Sequence, residues 1–506
     1  MKTDAYEAIK GRLASREWRL DNLYFIQNAS GEVVRFVRNE SQHAFWDNAW
    51  YLNAILKARQ LGFSTLMALL ELDTCLFNSN ISAGIVDYSL VDAKKKLAKV
   101  AFACQRLPAW LRQRIPTVKD STTEIAFENG SSIQVGTSHR GGTLQVLHVS
   151  EYGKISALAP DKAKEIKTGA FGTVHAGQFI HVESTAEGTG GEFYNLVQEA
   201  DARQKEGHAL SPLDFRLHFF PWHGHHGYRL PADASLPEEL IDYFAELKGK
   251  HGIELTPEQK AWYAAKRRQV GPDEMLREYP SVPDEAFYGS LEGTYFKQQM
   301  SKARLDGRIG IVPYDENKKV NTFWDIGNDT TTIWFHQSDG VRHRLIDYYE
   351  NAGEQIAHYC KVLREKQLKC GFTYGRHFGP HDFGVTDWGG DGKTRRDRAS
   401  ALGIEIDIVP RIEDKADAIE EARSFLNACW IDTKHCARGI QCLDNYRKEW
   451  DEVRAVWRSK PLHDWASHGA DSLMTGAMGF SPEPERRRDM DRHRRRWSPP
   501  RSAWAV

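Results

Sequence analysis

No run in this chain approaches the roughly 18 consecutive apolar residues of a membrane-spanning helix, and the opening MKTDAYEAIK lacks a secretory apolar core. The expectation is a chain that stays in the cytosol with no membrane partner. Cysteine is scarce and scattered: Cys75, Cys104, Cys360, Cys370, Cys429, Cys436 and Cys442 form no CxxC pair, so neither a disulfide frame nor a zinc ribbon is expected. Histidines gather in HFFPWHGHHGY, as His218, His223, His225 and His226, but without a cysteine pair to complete a zinc site. Excess charge is also missing. The 68 basic and 69 acidic side chains leave a net charge of −1, which argues against a protein that coats nucleic acid by bulk attraction. There is no internal repeat, and 506 residues are too many for one core, so about two domains are expected.

One further absence is more informative. A phosphate-binding loop follows GxxxxGK[ST], in which backbone N–H groups surround the phosphates, the lysine reaches the β/γ-phosphates and the hydroxyl meets Mg²⁺. Residues 57–65 read KARQLGFST. Lys57 takes the first glycine position, Gly62 the second, Phe63 the usual lysine position and Ser64 the metal position, followed by Thr65. The cation has moved within the loop, and a loop that curls around a triphosphate brings its two ends together, so Lys57 can reach the same oxygens from the other side. Arg59 adds a second cation. The competing reading is a surface loop with two solvated charges. Context favours the phosphate loop: YLNAIL before it reads as a buried strand, and LMALLELDTCLF after it as a buried helix.

The rest of a nucleotide site follows in order. A buried-strand pattern from Leu144 to Val149 ends in Ser150 and Glu151. A carboxylate at such a strand end orients the attacking water, so Glu151 is the expected general base and Ser150 a weaker metal-side contact. Arg140, in the Gly-flanked SHRGGT, suits a cation that approaches the γ-phosphate from its own or a neighbouring subunit, against the plain alternative of a solvated loop arginine. Another apolar strand, Phe179 to Val182, leads to Ser184, Thr185 and a Gly-rich segment able to sense the nucleotide. Gln42 offers an amide that could read the adenine edge, while Phe45, Trp46, Trp50 and Tyr51 around it fit helix packing better than base stacking.

KARQLGFST, LHVSEYGK and ESTAEGTGG, in this order and spacing, resemble the ATPase half of the large terminase subunits of tailed bacteriophages, a family that also moves the loop lysine to the first position. The family couples this ATPase to a nuclease. The resemblance spans nearly the whole chain. It implies an α/β fold, with a P-loop ATPase domain and small helical lid followed by a ribonuclease H-like nuclease domain. The implied activity is ATP-driven packaging of double-stranded DNA into a procapsid. The implied cofactors are ATP with Mg²⁺, and two Mg²⁺ or Mn²⁺ ions for the nuclease. The implied partners are the portal protein, the small terminase subunit and further copies in a ring, in the host cell cytoplasm.

The second half carries its own signals. From Asn321 the chain shows three alternating β-rich runs and then a helical stretch from Gly353 to Lys366, like the meander that opens a ribonuclease H-like fold. Asp325 would sit on the first strand, Asp382 beside a turn, and Asp471 on the last helix. Taken singly, each aspartate reads as a turn or cap residue. Together, three carboxylates from separate elements match the hard oxygen donors that two divalent ions roughly 3.5 to 4 Å apart require. FWDIG, PHD and SHGAD resemble the terminase nuclease motifs, and that resemblance gives Asp325, Asp382 and Asp471 the metal-ligand role. Asp387, Asp464, His468 and Glu350 lie close by in sequence as supporting groups, and Lys393, Arg395 and Arg396 are possible DNA-phosphate contacts or a solvated loop.

The expected boundaries are an ATPase core at 1–210, a helical lid at 211–305 that includes an amphipathic run from Thr256 to Gln269, a linker at 306–320, the nuclease at 321–480 and a basic tail at 481–506. Between Glu483 and Arg501 eight arginines face four acids, which suits an acidic partner such as the portal surface or DNA, or simple solubilisation. Two other functions fit parts of the sequence. One is a helicase-like or repair ATPase joined to a nuclease. The other is a non-catalytic capsid-docking protein whose sites have decayed, suggested by Phe63 and Ser150 in positions usually held by Lys and Asp.

Overall fold

The computed structural model describes residues 10–139, 141–232, 236–287, 293–327, 329–386, 392–411, 414–451 and 456–480. Arg140, Asp387 and the basic tail therefore lie outside the described residues. The chain divides into two compact units, one of Met1–Thr294 with Asp444–Asp464, the other of Tyr295–Leu443 with Trp465–Val506.

The first unit is built on a mostly parallel sheet. In chain order the elements that frame the site include α1 (Glu40–Asn48), β1 (Leu52–Lys57), α2 (Phe63–Phe77), β2 (Ser82–Val86), α3 (Leu90–Gln105), β3 (Thr117–Asp120), β4 (Glu124–Phe127), β5 (Ser132–Gly136), β6 (Leu144–Ser150), α4 (Tyr152–Leu158), β7 (Val174–Ser184) and β8 (Phe215–Phe220). The strands lie in the order β8-β1-β7-β6-β2-β5-β4-β3, with β3 and β4 antiparallel at one edge. Every residue of β1 is buried, as expected for a parallel strand covered on both faces. Leu66, Met67, Leu69 and Leu72 of α2 pack on one face, and Tyr152, Ile155 and Phe193 on the other. The crossover order places β7 between β1 and β6, so the strand carrying the phosphate loop and the strand ending in Glu151 are not neighbours. Both present their carboxyl ends at the same edge of the sheet, where ligands of such folds bind.

Three helices follow, α5 (Glu238–His251), α6 (Pro257–Val270) and α7 (Pro272–Glu278). Thr256 closes a capping box with Gln259, and Pro257 supplies the preset φ of a first helical residue, which is why α6 starts where the sequence pattern says. Trp222, Tyr228, Trp262 and Tyr263 stack to join these helices to the core, with the Tyr228 and Trp262 rings 4.5 Å apart. The boundary expected at residue 210 moves: β8 lies beyond it, yet pairs in parallel with β1 along its whole length, so the sheet closes only after the start of the expected lid. An excursion at 444–464, which includes an antiparallel hairpin, also belongs to this unit.

The second unit opens with the expected meander, β9 (Val320–Ile326), β10 (Thr331–Ser338) and β11 (His343–Asn351), antiparallel throughout. Helix α8 (Ile356–Cys370) leads to β12 (Tyr374–Gly379), then come β13 (Ile406–Ile408), α9 (Lys415–Asn427), β14 (Cys429–Asp432) and finally α10 (Trp465–Gly479). The sheet order β14-β11-β10-β9-β12-β13, with β12 and β13 parallel to β9, contains the ribonuclease H-like arrangement. The expected linker at 306–320 is instead part of this unit. Ile309–Gly310 pairs with β14, and the buried Arg308 guanidinium donates to the carbonyls of Leu426 and Cys429 at 3.1 and 2.7 Å. A free linker would leave those buried carbonyls unpaired.

Helix α10 is buried almost all round and rich in Gly, Ala and Ser, which lets it approach the sheet closely. Its Gly469 carbonyl accepts from the Trp334 indole at 2.8 Å, and Ser472 from Thr332 at 2.9 Å.

Candidate functional site

The phosphate loop folds around two left-handed residues, Gln60 (φ 61°) and Gly62 (φ 76°). At φ 76° any side chain is strained, and a Cβ on Gly62 would stand 2.8 Å from the Gln42 amide nitrogen and displace it, so glycine is favoured at this point. Gln42 itself is buried. Its carbonyl closes the capping box of α1 by accepting from the Asn39 backbone, and its amide donates to the Gly62 carbonyl at 2.9 Å. The geometry gives Gln42 a local task, fixing the loop.

Lys57 ends β1, almost fully buried, and its ammonium lies 3.0 Å from Glu183 and 3.8 Å from Glu151. Burial works against its charge, yet the two carboxylates, Glu183 foremost, raise its pKa above the ordinary lysine value. Glu183 is the hub of the site. It lies near the tip of β7, level with Ile55 on one side and Ser150 on the other, fully shielded from water. Ser64 donates to its carboxylate at 2.8 Å, Ser150 at 2.9 Å, and the His148 ring stands 3.4 Å away. Burial alone would raise this carboxyl; Lys57, followed by His148, holds it well below the usual range.

Glu151 follows β6 in the left-handed region (φ 55°), a strained position for a side-chain-bearing residue and one that clusters at working sites. A third of its side chain meets solvent (33%), unlike Glu183. Burial of its carboxyl in the cleft, opposed by Lys57 and reinforced by Glu183, raises its pKa, the direction a general base needs. Ser184 accepts from the Gly153 backbone at 3.0 Å and so pins the start of α4 directly after Glu151. Thr65 accepts from Lys99 of α3 at 3.1 Å, adding a cation beside the loop that the sequence did not single out.

Arg59 is mostly exposed and pairs with Glu278 of α7 at 3.2 Å, while its backbone N–H donates to the Glu278 carbonyl at 2.8 Å. The neighbouring Arg277 holds Glu187 at 3.1 Å, in the loop that follows Thr185. Burial, opposed by Arg277, pushes the Glu187 carboxyl up to about 7. Phosphate loop, helical lid and post-strand loop are thus joined by consecutive ion pairs.

In the second unit Asp325, on β9, accepts from the His468 ring of α10 at 3.1 Å, and the other ring nitrogen lies 3.3 Å from Asp329. Two carboxylates on one imidazole favour its protonated form, and the hydrogen bond to Asp325 raises the His468 pKa. Asp471, one helical turn on, pairs with Lys415 at 2.8 Å. Burial, opposed by Lys415 and reinforced by Asp325, raises its pKa. A His and a Lys therefore neutralise a tight group of aspartates. Asp382 is half-buried and pairs with His381 at 3.3 Å. Phe323 lies beside Phe378; Asp325 follows two residues later on β9, and Asp382 lies in a short 3-10 turn (His381–Gly384) just beyond the end of β12. Glu350 lies on the same row, with Thr332 between it and Asp325, and binds Arg438 at 3.2 Å.

Other expectations separate from the site. Asp464 groups with the first unit, where it is buried against Arg447 at 3.5 Å. Lys393 and Arg396 are exposed around the start of a short helix at Arg395–Ala401. The clustered histidines go to different partners: His218 to Asn53, His223 to the Ser281 carbonyl, and His226 to Glu40.

Sequence had not marked Glu183, Asp329, Lys415 or the pair Arg277–Glu187. Only Glu183 left a trace, as a charged residue ending the apolar run FIHV.

Both constellations suit the groups they would hold. The loop at the amino end of α2 and the buried Lys57 ammonium fit a polyphosphate, and Ser64 backed by a buried carboxylate fits the oxygen preference of Mg²⁺. Asp325 and Asp471, grouped around His468, are hard oxygen donors of the kind a divalent ion takes. No helix among the described residues is long and apolar enough to cross a membrane.

No family model matches the chain. No curated protein matches it either. The solved structures to which it is similar include the HK97 bacteriophage large terminase, at 14% identity over 91% of this chain and 97% of that one, with a TM-score of 0.43. Another is the large terminase of a thermophilic bacteriophage in complex with ADP, at 11% identity over 84% and 93%, with a TM-score of 0.29. A third is the large terminase nuclease of the thermophilic phage G20c with bound magnesium, at 12% identity over 38% and 99%, with a TM-score of 0.28.

Proposed function

We infer that this chain is the large terminase subunit of a tailed bacteriophage. It hydrolyses ATP to move double-stranded DNA into a procapsid and cuts concatemeric DNA with a metal-dependent endonuclease. One observation carries the reading: a lysine displaced to the first position of a phosphate loop is buried between Glu183 and Glu151, in the same chain as a ribonuclease H-like sheet with an aspartate group at its edge.

In the ATPase, the loop N–H groups bind the phosphates and Lys57 neutralises the terminal phosphoryl oxygens from the strand side. Glu151 orients the attacking water and accepts its proton. Mg²⁺, when bound, spreads the charge developing on the β- and γ-oxygens. Lys57 is held by carboxylates here, so a γ-phosphate would compete with Glu183 and Glu151 for it. That exchange, relayed through Arg59 to Glu278 and from Arg277 to Glu187, would move the lid and the loop after Thr185, altering the grip on DNA. Arg140, by its sequence setting, is the cation proposed to approach the γ-phosphate.

In the nuclease, Asp325, Asp382 and Asp471 would hold two Mg²⁺ or Mn²⁺ ions, which supply a nucleophilic water and stabilise the leaving oxygen. Lys415 and His468 now neutralise these acids and would be released as the ions bind. The portal protein, the small terminase subunit and further copies in a ring are the proposed partners, in the host cell cytoplasm. The basic tail at 481–506 would dock on the portal.

The test is phosphate release with and without linear duplex DNA, together with movement along intact duplex. DNA-stimulated release with translocation and no unwinding of a forked substrate supports the motor. Strand separation would favour a helicase or repair enzyme, and absence of any turnover a non-catalytic docking protein.

A further inference from the structure

In a phosphate loop the metal-side hydroxyl is backed by an acid at the end of the strand whose next residue activates water. Here that strand, β6, ends in Ser150 and offers no carboxylate. Glu183 fills the gap from the neighbouring strand. Its carboxylate accepts from Ser64 at 2.8 Å and from Ser150 at 2.9 Å, so the residue in the usual acid's place is itself a ligand of the substitute. Glu183 and Ser150 are direct partners across the parallel pair of β7 and β6, which is why exchanging their roles moves the charge only one strand sideways. Glu183 is fully buried, while a third of Glu151 faces solvent; the two acids divide into one behind the hydroxyl and one toward the water.

We propose that Glu183 is the metal-side carboxylate of this ATPase, transplanted from β6 to β7, and that it positions Ser64 for Mg²⁺ bound to ATP. This rests on the ATPase reading above. Lys57 follows from the same change. A carboxylate on β7 lies next to β1, within reach of a lysine at the end of that strand, and the 3.0 Å pair holds the displaced cation in place until nucleotide arrives. Relocation of the acid and relocation of the lysine are thus one compensated rearrangement, with Phe63 and Ser150 the residues left at the vacated positions.

The experiment is titration of the full-length protein with a fluorescent ATP analogue, with and without Mg²⁺, for the native chain, Glu183→Gln and Glu183→Gln/Ser150→Asp. The native chain should bind more tightly with Mg²⁺. Glu183→Gln, which keeps the shape and leaves Lys57 unneutralised, should bind at least as well without Mg²⁺ but lose about tenfold or more of the gain from it. Restoring an acid on β6 with Ser150→Asp should recover part of that gain, which a merely structural role for Glu183 would not produce. Should Glu183→Gln fail to fold, Glu183→Asp keeps the charge and, by drawing the carboxylate back from Ser64, should still reduce the gain. A full Mg²⁺ gain in Glu183→Gln, or in Glu183→Asp if only that variant folds, overturns the proposal while leaving the ATPase reading intact. Absence of nucleotide binding by the native chain would instead overturn the reading on which it rests.

Discussion

The Lys57 ammonium stands 3.0 Å from a Glu183 carboxylate that no water reaches. Each charge is the other's main compensation. Removing one partner of a buried pair leaves an uncompensated charge, at a cost of about 3–5 kcal/mol. Lys57→Met should therefore lose both ATP turnover and thermal stability, and adding Glu183→Gln should return much of the stability without the turnover. Thermal unfolding of the two variants beside phosphate-release assays checks this. Normal turnover by Lys57→Met would remove the lysine from the mechanism.

Asp325→Ala should have the opposite selectivity. Asp325 holds His468 and lies in the group with Asp471, in the unit that does not carry the phosphate loop. Metal-dependent nicking of plasmid should vanish while ATP turnover persists. Cutting at the native rate would exclude Asp325 as a metal ligand.

Much of this arrangement was legible in the sequence, because it depends on short-range pattern. The run from Leu52 to Phe77 announces strand, loop and helix by apolar periodicity and a loop signal, and Thr256 announces α6 through its capping chemistry. The hub at Glu183 was not legible. Its role arises because the crossover order inserts β7 between β1 and β6, and no local pattern encodes which strands become neighbours. Asp329 and Lys415 were hidden for the same reason: each meets its partner on α10 across more than fifty residues of chain.

Gln42 offers a clean separation of two roles. If it fixes the loop through Gly62, then Gln42→Ala should cost about 0.5–2 kcal/mol through the lost capping contacts and raise KM for ATP and GTP alike. A reader of the adenine edge would instead change the ratio between the two nucleotides. Steady-state kinetics with both substrates decides, and a shift in that ratio would restore the base-reading role.

Glu187 should give the first unit a pH signature. Its carboxyl titrates at about 7 in the fold, above an unfolded glutamate, so folding takes up a proton between those two values. Stability from this group is full below the unfolded pKa and declines as pH rises through 7, by an amount on the order of 3 kcal/mol. Glu187→Gln has no such slope. The melting temperature of the native chain relative to Glu187→Gln should therefore fall between pH 5 and pH 8, and a constant difference would show that the group does not titrate in that range.

Gly476 tests how packing positions the nuclease group. A Cβ at this residue would stand 2.1 Å from the Phe323 ring, because α10 presses its small residues directly onto β9. Phe323 is two residues from Asp325, and Gly476 five from Asp471, so the spacing between helix and strand sets the distance between the two acids. Gly476→Ala must push the helix outward or displace the ring, at a cost of about 1–3 kcal/mol for an overpacked core. An aspartate displaced by an ångström is a poorer partner in a two-metal site, whose ions sit only about 3.5–4 Å apart. Plasmid cutting should fall well beyond what the loss of stability explains, and excess Mn²⁺ should recover part of it. ATP turnover, which depends on the other unit, should persist. Equal losses of both activities would mean that the substitution acts by unfolding the chain and not by separating the acids.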